Sequence, residues 1–221
     1  MSDFAVARRR MVDCQVRPSD VTDLRIIDAM LEVPRELFTP KTLQKLAYLD
    51  QDLNVCESGI APRVLLRPAL LARMLQAAAI MENDNVLIVG CASGYAAAVI
   101  GKLARSVVAT EADPALAAHG KVVLSQSGAT NVTMKQAPAE AGDPAGVPFD
   151  VILVHGAAQV PLTALQQQLR LGGRMVWVDA SGNTERAMLL TRSEADFGSR
   201  VLFDATAPVL PGLARQPAFV F

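Results

Sequence analysis

Residues Val86–Ala104 read VLIVGCASGYAAAVIGKLA, and this stretch decides the fold. The apolar run Val86–Val89 makes a buried strand, and the alanine-rich run after the turn makes a helix. Between them lie only small residues, Gly90-Cys91-Ala92-Ser93-Gly94. A strand that enters a helix through such a turn turns backbone N–H groups toward a ligand. The same alternation continues downstream. Val107–Thr110 is a strand, Asp113 opens a helix to about Ser127, and Val132–Met134 is a short strand. FDVILVH, from Phe149, has the continuous apolar look of a buried parallel strand. LTALQQQLRL, from Leu162, reads as a helix ended by Gly172-Gly173, and RMVWVD, from Arg174, as the next strand. AMLLTR, RVLFDAT and AFVF offer further strands toward the C-terminus. Strands alternating with helices predict an α/β fold, a doubly wound, mostly parallel, seven-stranded sheet.

Upstream the pattern is helical. DLRIIDAMLEV places Leu24, Ile27, Met30 and Leu31 on one face, with Asp20 or Thr22 as a cap and Pro34 as the stop. VPRELFTP and AYLDQDLNV read as ordered connections, and Pro68 opens a helix to about Met81. The expected organisation is an N-terminal helical cap, residues 1–81, on a second domain, 82–221, in one compact unit.

Of the 221 residues, 51% are hydrophobic, enough for a sizeable core, and 19% are charged, with a formal net charge of −1. That balance leaves no electrostatic footprint for nucleic acid or an anionic membrane. PALLARMLQAAAIM, the longest apolar run, is interrupted by Arg73 and is too short to span a bilayer. ARRRMVDCQV has basic residues with no apolar stretch behind them, so no signal peptide is expected. Cys14, Cys56 and Cys91 are odd in number and lack metal-ligand spacing, which reads as reduced thiols in a cytoplasmic protein with no metal site. Cys91 reads as a small buried turn residue, with a reactive thiol at a helix N-terminus as the alternative.

The turn discriminates among ligands. A dinucleotide fingerprint needs glycines at positions 90, 92 and 95, and the chain has Gly90, Ala92 and Tyr95. No Gly-Lys-Ser/Thr follows, so a P-loop is absent. The pattern G-x-small-x-G suits S-adenosylmethionine better, because that cofactor brings no phosphate to the turn. A carboxylate at the end of the next strand would then accept from both ribose hydroxyls. Glu111 stands there, about 20 residues past the turn. Read without a ligand, the same residues are a helix start and a solvated strand-end acid.

Several segments occur together in one order: MVDCQV, DLRIIDAMLEVPRELFTP, AYLDQDLNV, RPALLARMLQ, SGYAAAVIGKLA, FDVILVHGAA and LRLGGRMVW. In this the chain resembles the protein-L-isoaspartate O-methyltransferase family, from Met11 to about Trp177. MLEVPRELFTP is a specific segment rather than a generic one. The resemblance implies a Rossmann-like methyltransferase sheet with a helical cap. It also implies methyl transfer from S-adenosylmethionine to the α-carboxyl of an isoaspartyl residue in a protein or peptide, with S-adenosylhomocysteine as product. Gly90, Cys91, Ala92, Ser93 and Gly94 with Glu111 and Ala112 would then cradle the cofactor, and Gln136 and Ala137 would lie at its adenine end.

Departures from the family pattern fall on functional positions. A Thr-Ile-Ser-Gln-Pro-like segment corresponds to Val64-Leu65-Leu66-Arg67-Pro68, so Leu66 stands where a serine helps handle the substrate carboxyl. Leucine neither donates nor accepts, whereas Arg67 offers a planar fork for a carboxylate. A first-strand acid for the methionyl amino group corresponds to Ile88, and a Gly-Asp-Gly segment to Ala137-Pro138-Ala139, with Glu140 close by. His155, at the carboxyl edge of its strand, is a base or hydrogen-bond donor toward the acceptor, or else a structural histidine; His119 reads as a surface residue. Leu66, Arg67 and His155 are therefore the residues expected to face the acceptor. Two other readings stand beside this one: a non-catalytic ligand-sensing or protein-binding module, and a methyltransferase with another acceptor. The oligomeric state has no signature.

Overall fold

The computed structural model describes residues 3–56 and 62–216. The strand expected at AFVF begins at Ala218 and lies outside the described residues. The N-terminal region is helical and irregular. Helix α1, Asp3–Met11, runs on into π-type turns, and α2 spans Leu24–Glu32. Asp23, rather than Asp20 or Thr22, caps α2, its carboxylate accepting the Arg25 N–H. Burial shifts the apolar face too: Ile26 and Ile27 are inside, and Leu24 is exposed. Two short strands, β1 (Leu53–Asn54) and β2 (Val64–Leu65), pair antiparallel ahead of α3, Pro68–Ala78.

The sheet then builds as the alternation requires. Its strands are β3 (Asn85–Val89), β4 (Ser106–Glu111), β5 (Val132–Gln136), β6 (Phe149–Ala158), β7 (Leu169–Asp179), β8 (Arg186–Arg192) and β9 (Phe197–Asp204). The order is β5-β4-β3-β6-β7-β8-β9, parallel from β5 to β7 and antiparallel over the last two pairings. Helices α4 (Tyr95–Gly101) and α5 (Pro114–Gln126) follow β3 and β4. Strand order reverses between β3 and β6, which makes the carboxyl ends of β3, β4 and β6 the switch point where open α/β sheets hold ligands. One apolar cluster runs unbroken from Met11 and Met30 in the N-terminal helices through Leu71 and Ile88 to Val178 in the sheet.

One expected helix is largely replaced by strand. Only Thr163–Gln166 is helical (α6), and β7 already begins at Leu169 and runs through both glycines. Gln168 explains the change. Its buried side chain accepts the Asp143 N–H and donates to the Ala141 and Ala164 carbonyls, while its own carbonyl accepts from Phe149 N–H. These bonds peel the chain off the helix and start the ladder with β6. Gly172, at φ 73°, then turns the bulge that restores the register.

Candidate functional site

The turn after β3 is held from within. Gly90 and Cys91 N–H both donate to the Thr110 carbonyl of β4, and Gly94 N–H donates to Cys91. Ala92 N–H donates to Glu111 Oε2 at 2.8 Å. Ala92 has φ 52°, in the left-handed region where a methyl group costs about 1–2 kcal/mol. Ser93 Oγ is spent on the Phe38 carbonyl, tying the turn to the N-terminal region. The Cys91 thiol is buried against Met134, and burial pushes its pKa up, which removes the thiolate that a reactive cysteine needs.

Glu111 ends β4 with no exposed surface. Each carboxylate oxygen accepts two hydrogen bonds. Oε1 takes Arg63 Nε at 3.0 Å and Asp113 N–H at 3.1 Å; Oε2 takes Arg63 Nη2 at 2.7 Å and the Ala92 N–H. A carboxylate has about four such sites, so Glu111 is saturated. It is no solvated strand end. Arg63, whose side chain is only 6% exposed, also donates from Nη2 to the Gly90 carbonyl at 2.8 Å. Leu210 closes the same space: a Cβ built on Gly90 would meet Leu210 Cδ1 at 2.7 Å and Arg63 Nη2 at 2.9 Å. The acceptors suit a ribose diol, but a guanidinium and a leucine occupy the space in front of them. Arg63 was not among the residues singled out from the sequence. The one cue available was a cation in the segment just ahead of Val64-Leu65-Leu66.

His155 shares this centre. Its Nδ1 lies 3.3 Å from the Gly90 carbonyl, and since a carbonyl only accepts, the proton sits on Nδ1. Nε2 then carries a lone pair, is buried, and has no partner among the described residues. Burial, reinforced by the nearby Arg63 cation, pushes the imidazole pKa down to about 3. At neutral pH His155 is an uncharged acceptor, so its Nε2 is not the donor toward a carboxylate that the sequence offered.

The remaining candidates lie around this cluster. Leu66 is fully buried, and its carbonyl accepts from the buried Arg35 guanidinium. Arg67, half-buried, is the N-cap residue of α3, and its N–H donates to Asp52. Gln136 is exposed at the end of β5, beside Glu111 in register, and Ala137 N–H donates to the Glu111 carbonyl. Ala112 is half-buried next to it, and Ile88 is buried in β3. Gly90, Ala92, Glu111 and His155 are thus brought together. A cleft of about 290 Å³ opens between the N-terminal region and α5, lined by Phe38, Val55, Ser93, Asp113 and His119.

A glycine turn after the first strand of this sheet, with an acid ending its neighbour, puts a ligand-binding turn at the switch point of a doubly wound sheet. The family model for protein-L-isoaspartate(D-aspartate) O-methyltransferase matches residues 8–203. A protein-L-isoaspartate O-methyltransferase 2 of Marinobacter nauticus is 37% identical over 191 residues, 86% of this chain and 85% of its own. A protein-L-isoaspartate O-methyltransferase of Koribacter versatilis is 35% identical over 220 residues, 99% of this chain and 97% of its own. The chain belongs to the protein-L-isoaspartate O-methyltransferase family. Among solved structures, a protein-L-isoaspartate O-methyltransferase superposes with a TM-score of 0.83 over 93% of this chain and 66% of its own, at 23% identity. A Plasmodium falciparum relative solved with S-adenosyl-L-homocysteine gives 0.79 over 92% of this chain and 98% of its own, at 16% identity. At those identities the two structures speak for the fold. No helix among the described residues is long and apolar enough to cross a membrane.

Proposed function

We propose that this chain transfers a methyl group from S-adenosylmethionine to the carboxylate of an isoaspartyl residue in a protein or peptide, releasing S-adenosylhomocysteine. Membership of the family supports the reaction. The single observation that carries the site is the Ala92 N–H bond to Glu111, which joins the turn and the acid into one unit. On this reading Glu111 takes the ribose hydroxyls, Gly90–Gly94 and Ala112 line the cofactor, and Gln136 and Ala137 border its adenine. The bound cofactor supplies an electrophilic methyl group on a sulfonium. Residues 1–81 form the cap, in which Leu66 is buried and the half-buried Arg67 is the side chain left to meet the acceptor, and residues 82–221 form the cofactor domain. The reading carries with it a reducing, cytoplasmic setting, in which Cys14, Cys56 and Cys91 stay thiols.

The chemistry asks for position rather than acid or base. A carboxylate is already a nucleophile at neutral pH, so holding it in line with the methyl group is the main task. A His155 with a pKa near 3 is consistent with that, since no proton needs to be taken. Arg67 is the acceptor-side cation in this reading, replacing with charge what Leu66 lacks in hydrogen bonding. The test is transfer of radiolabelled methyl groups to an isoaspartyl peptide and to its normal aspartyl isomer. Base-labile label on the first alone supports the reading. Label on neither, with the chain folded, removes it.

A further inference from the structure

The four hydrogen bonds on Glu111 leave nothing for a ribose. Two of them come from the backbone of the turn and of Asp113, and the other two from one guanidinium. Arg63 is also no loose surface chain. Its carbonyl accepts the Val55 N–H beside the β1–β2 pair, which fixes where its side chain starts. Nη2 then bridges Glu111 and the Gly90 carbonyl, and Leu210 packs over the same glycine. We propose that Arg63 is the residue that sets the cofactor affinity of this chain: it stands in the ribose position as an internal occupant, and an adenosyl ligand enters only by displacing it from Glu111. This rests on the methyl-donor reading above.

The physical argument is an exchange. A bidentate ion pair with both partners out of water is stronger than two hydroxyl-to-carboxylate bonds, so the exchange runs uphill for the ligand. Affinity is then lowered by the fraction of molecules in which Arg63 has already left. Removing the guanidinium removes the competitor while Ala92 and Asp113 N–H groups keep Glu111 in place. A residue that merely stabilised the fold would not improve binding when lost.

The experiment is calorimetric titration of S-adenosylhomocysteine, adenosine and methionine into wild type, Arg63→Gln and Arg63→Lys, with circular dichroism to check folding. Arg63→Gln is expected to bind both ribose-bearing ligands at least tenfold more tightly than wild type, with no gain for methionine. Arg63→Lys, which keeps a single-point ion pair, should fall between and carries the test if the glutamine variant is unstable. Tight binding that is equal in wild type and variants overturns the occupancy of Arg63 and leaves the methyl-donor reading intact. No binding to any of the three chains at millimolar ligand overturns both. On the wild type, the Arg63 Nε–H nuclear magnetic resonance signal should be protected in the free chain and lose that protection at saturating S-adenosylhomocysteine. Saturation with that signal unmoved overturns the proposal as well.

Discussion

Arg35 and Arg63 are both buried arginines, and they are held in opposite ways. Arg63 faces a carboxylate that takes it at two points, and the pair is closed off by backbone groups. Arg35 has no exposed surface and no carboxylate bound to its guanidinium among the described residues. It donates from Nε to the Ala47 carbonyl at 2.7 Å and from Nη2 to Leu66 at 3.0 Å, and it lies 4.7 Å from the Tyr95 ring centroid. Its Nη1 and the Tyr95 hydroxyl have no hydrogen-bond partner among the described residues. Burial pulls the Arg35 pKa down, opposed chiefly by Tyr95. A cation held by carbonyls and a ring fastens three segments of chain and has nothing to exchange. A cation held by a carboxylate can be replaced by another donor. One arginine is a rivet; the other is a removable partner.

Breaking the removable pair from the acidic side should give the largest effect. Glu111→Ala leaves Arg63 buried and uncompensated, which costs about 3–5 kcal/mol. Urea unfolding measures it, and a loss below about 1 kcal/mol would mean that the guanidinium simply turns out into solvent. Next comes the rivet. Arg35→Met keeps the volume but strands the Ala47 and Leu66 carbonyls, at about 1–3 kcal/mol for each one left unpaired. The expected loss is about 2–6 kcal/mol, with no gain in adenosyl affinity. A variant as stable as wild type would show that water serves those carbonyls equally well.

The third prediction uses His155, which touches the removable side through Gly90. Folded, it protonates only near pH 3; its ordinary value is 6.5. Between these values the unfolded chain binds the extra proton, so stability falls as pH drops through that window. The slope from this one group is at most about 1.4 kcal/mol per pH unit. Subtracting the pH–stability curve of His155→Gln from that of wild type isolates it, and parallel curves between pH 6.5 and 3 would contradict the depressed value. The smallest effect belongs to Ala92. Ala92→Gly relieves left-handed strain but gives the unfolded chain more freedom, so the net gain is at most about 1 kcal/mol. A destabilised glycine variant would show that the methyl group earns its place by packing.

Much of the architecture was legible because it rests on local pattern. Apolar strands, small-residue turns and helix starts at Pro68, Gly94 and Asp113 announce themselves by composition and period, and the mostly parallel sheet follows from their alternation, though not the order of its strands. The exception is instructive. LTALQQQLRL has a helix-like pattern over its length, yet Gln168 is drawn into bonds with Ala141, Asp143 and Phe149, and the ladder wins. Buried side-chain satisfaction overrode propensity.

By itself, the sequence determined the strand–turn–helix at Val86–Ala104, the acid at the end of the neighbouring strand and the order of segments that marks the family. Only the tertiary structure decided what those groups touch. Arg63 and Glu111 are 48 residues apart, and their pairing depends on the β1–β2 segment delivering the side chain to the end of β4. Leu210 reaches Gly90 from the far end of the chain, and Ala92 takes positive φ because its N–H is pulled toward Glu111. Periodicity carries information about which face a residue shows to the core. It carries none about which partner, among all the donors and acceptors that folding brings within 3 Å, will win a buried carboxylate; that choice is made by desolvation, which exists only once the chain has closed around it.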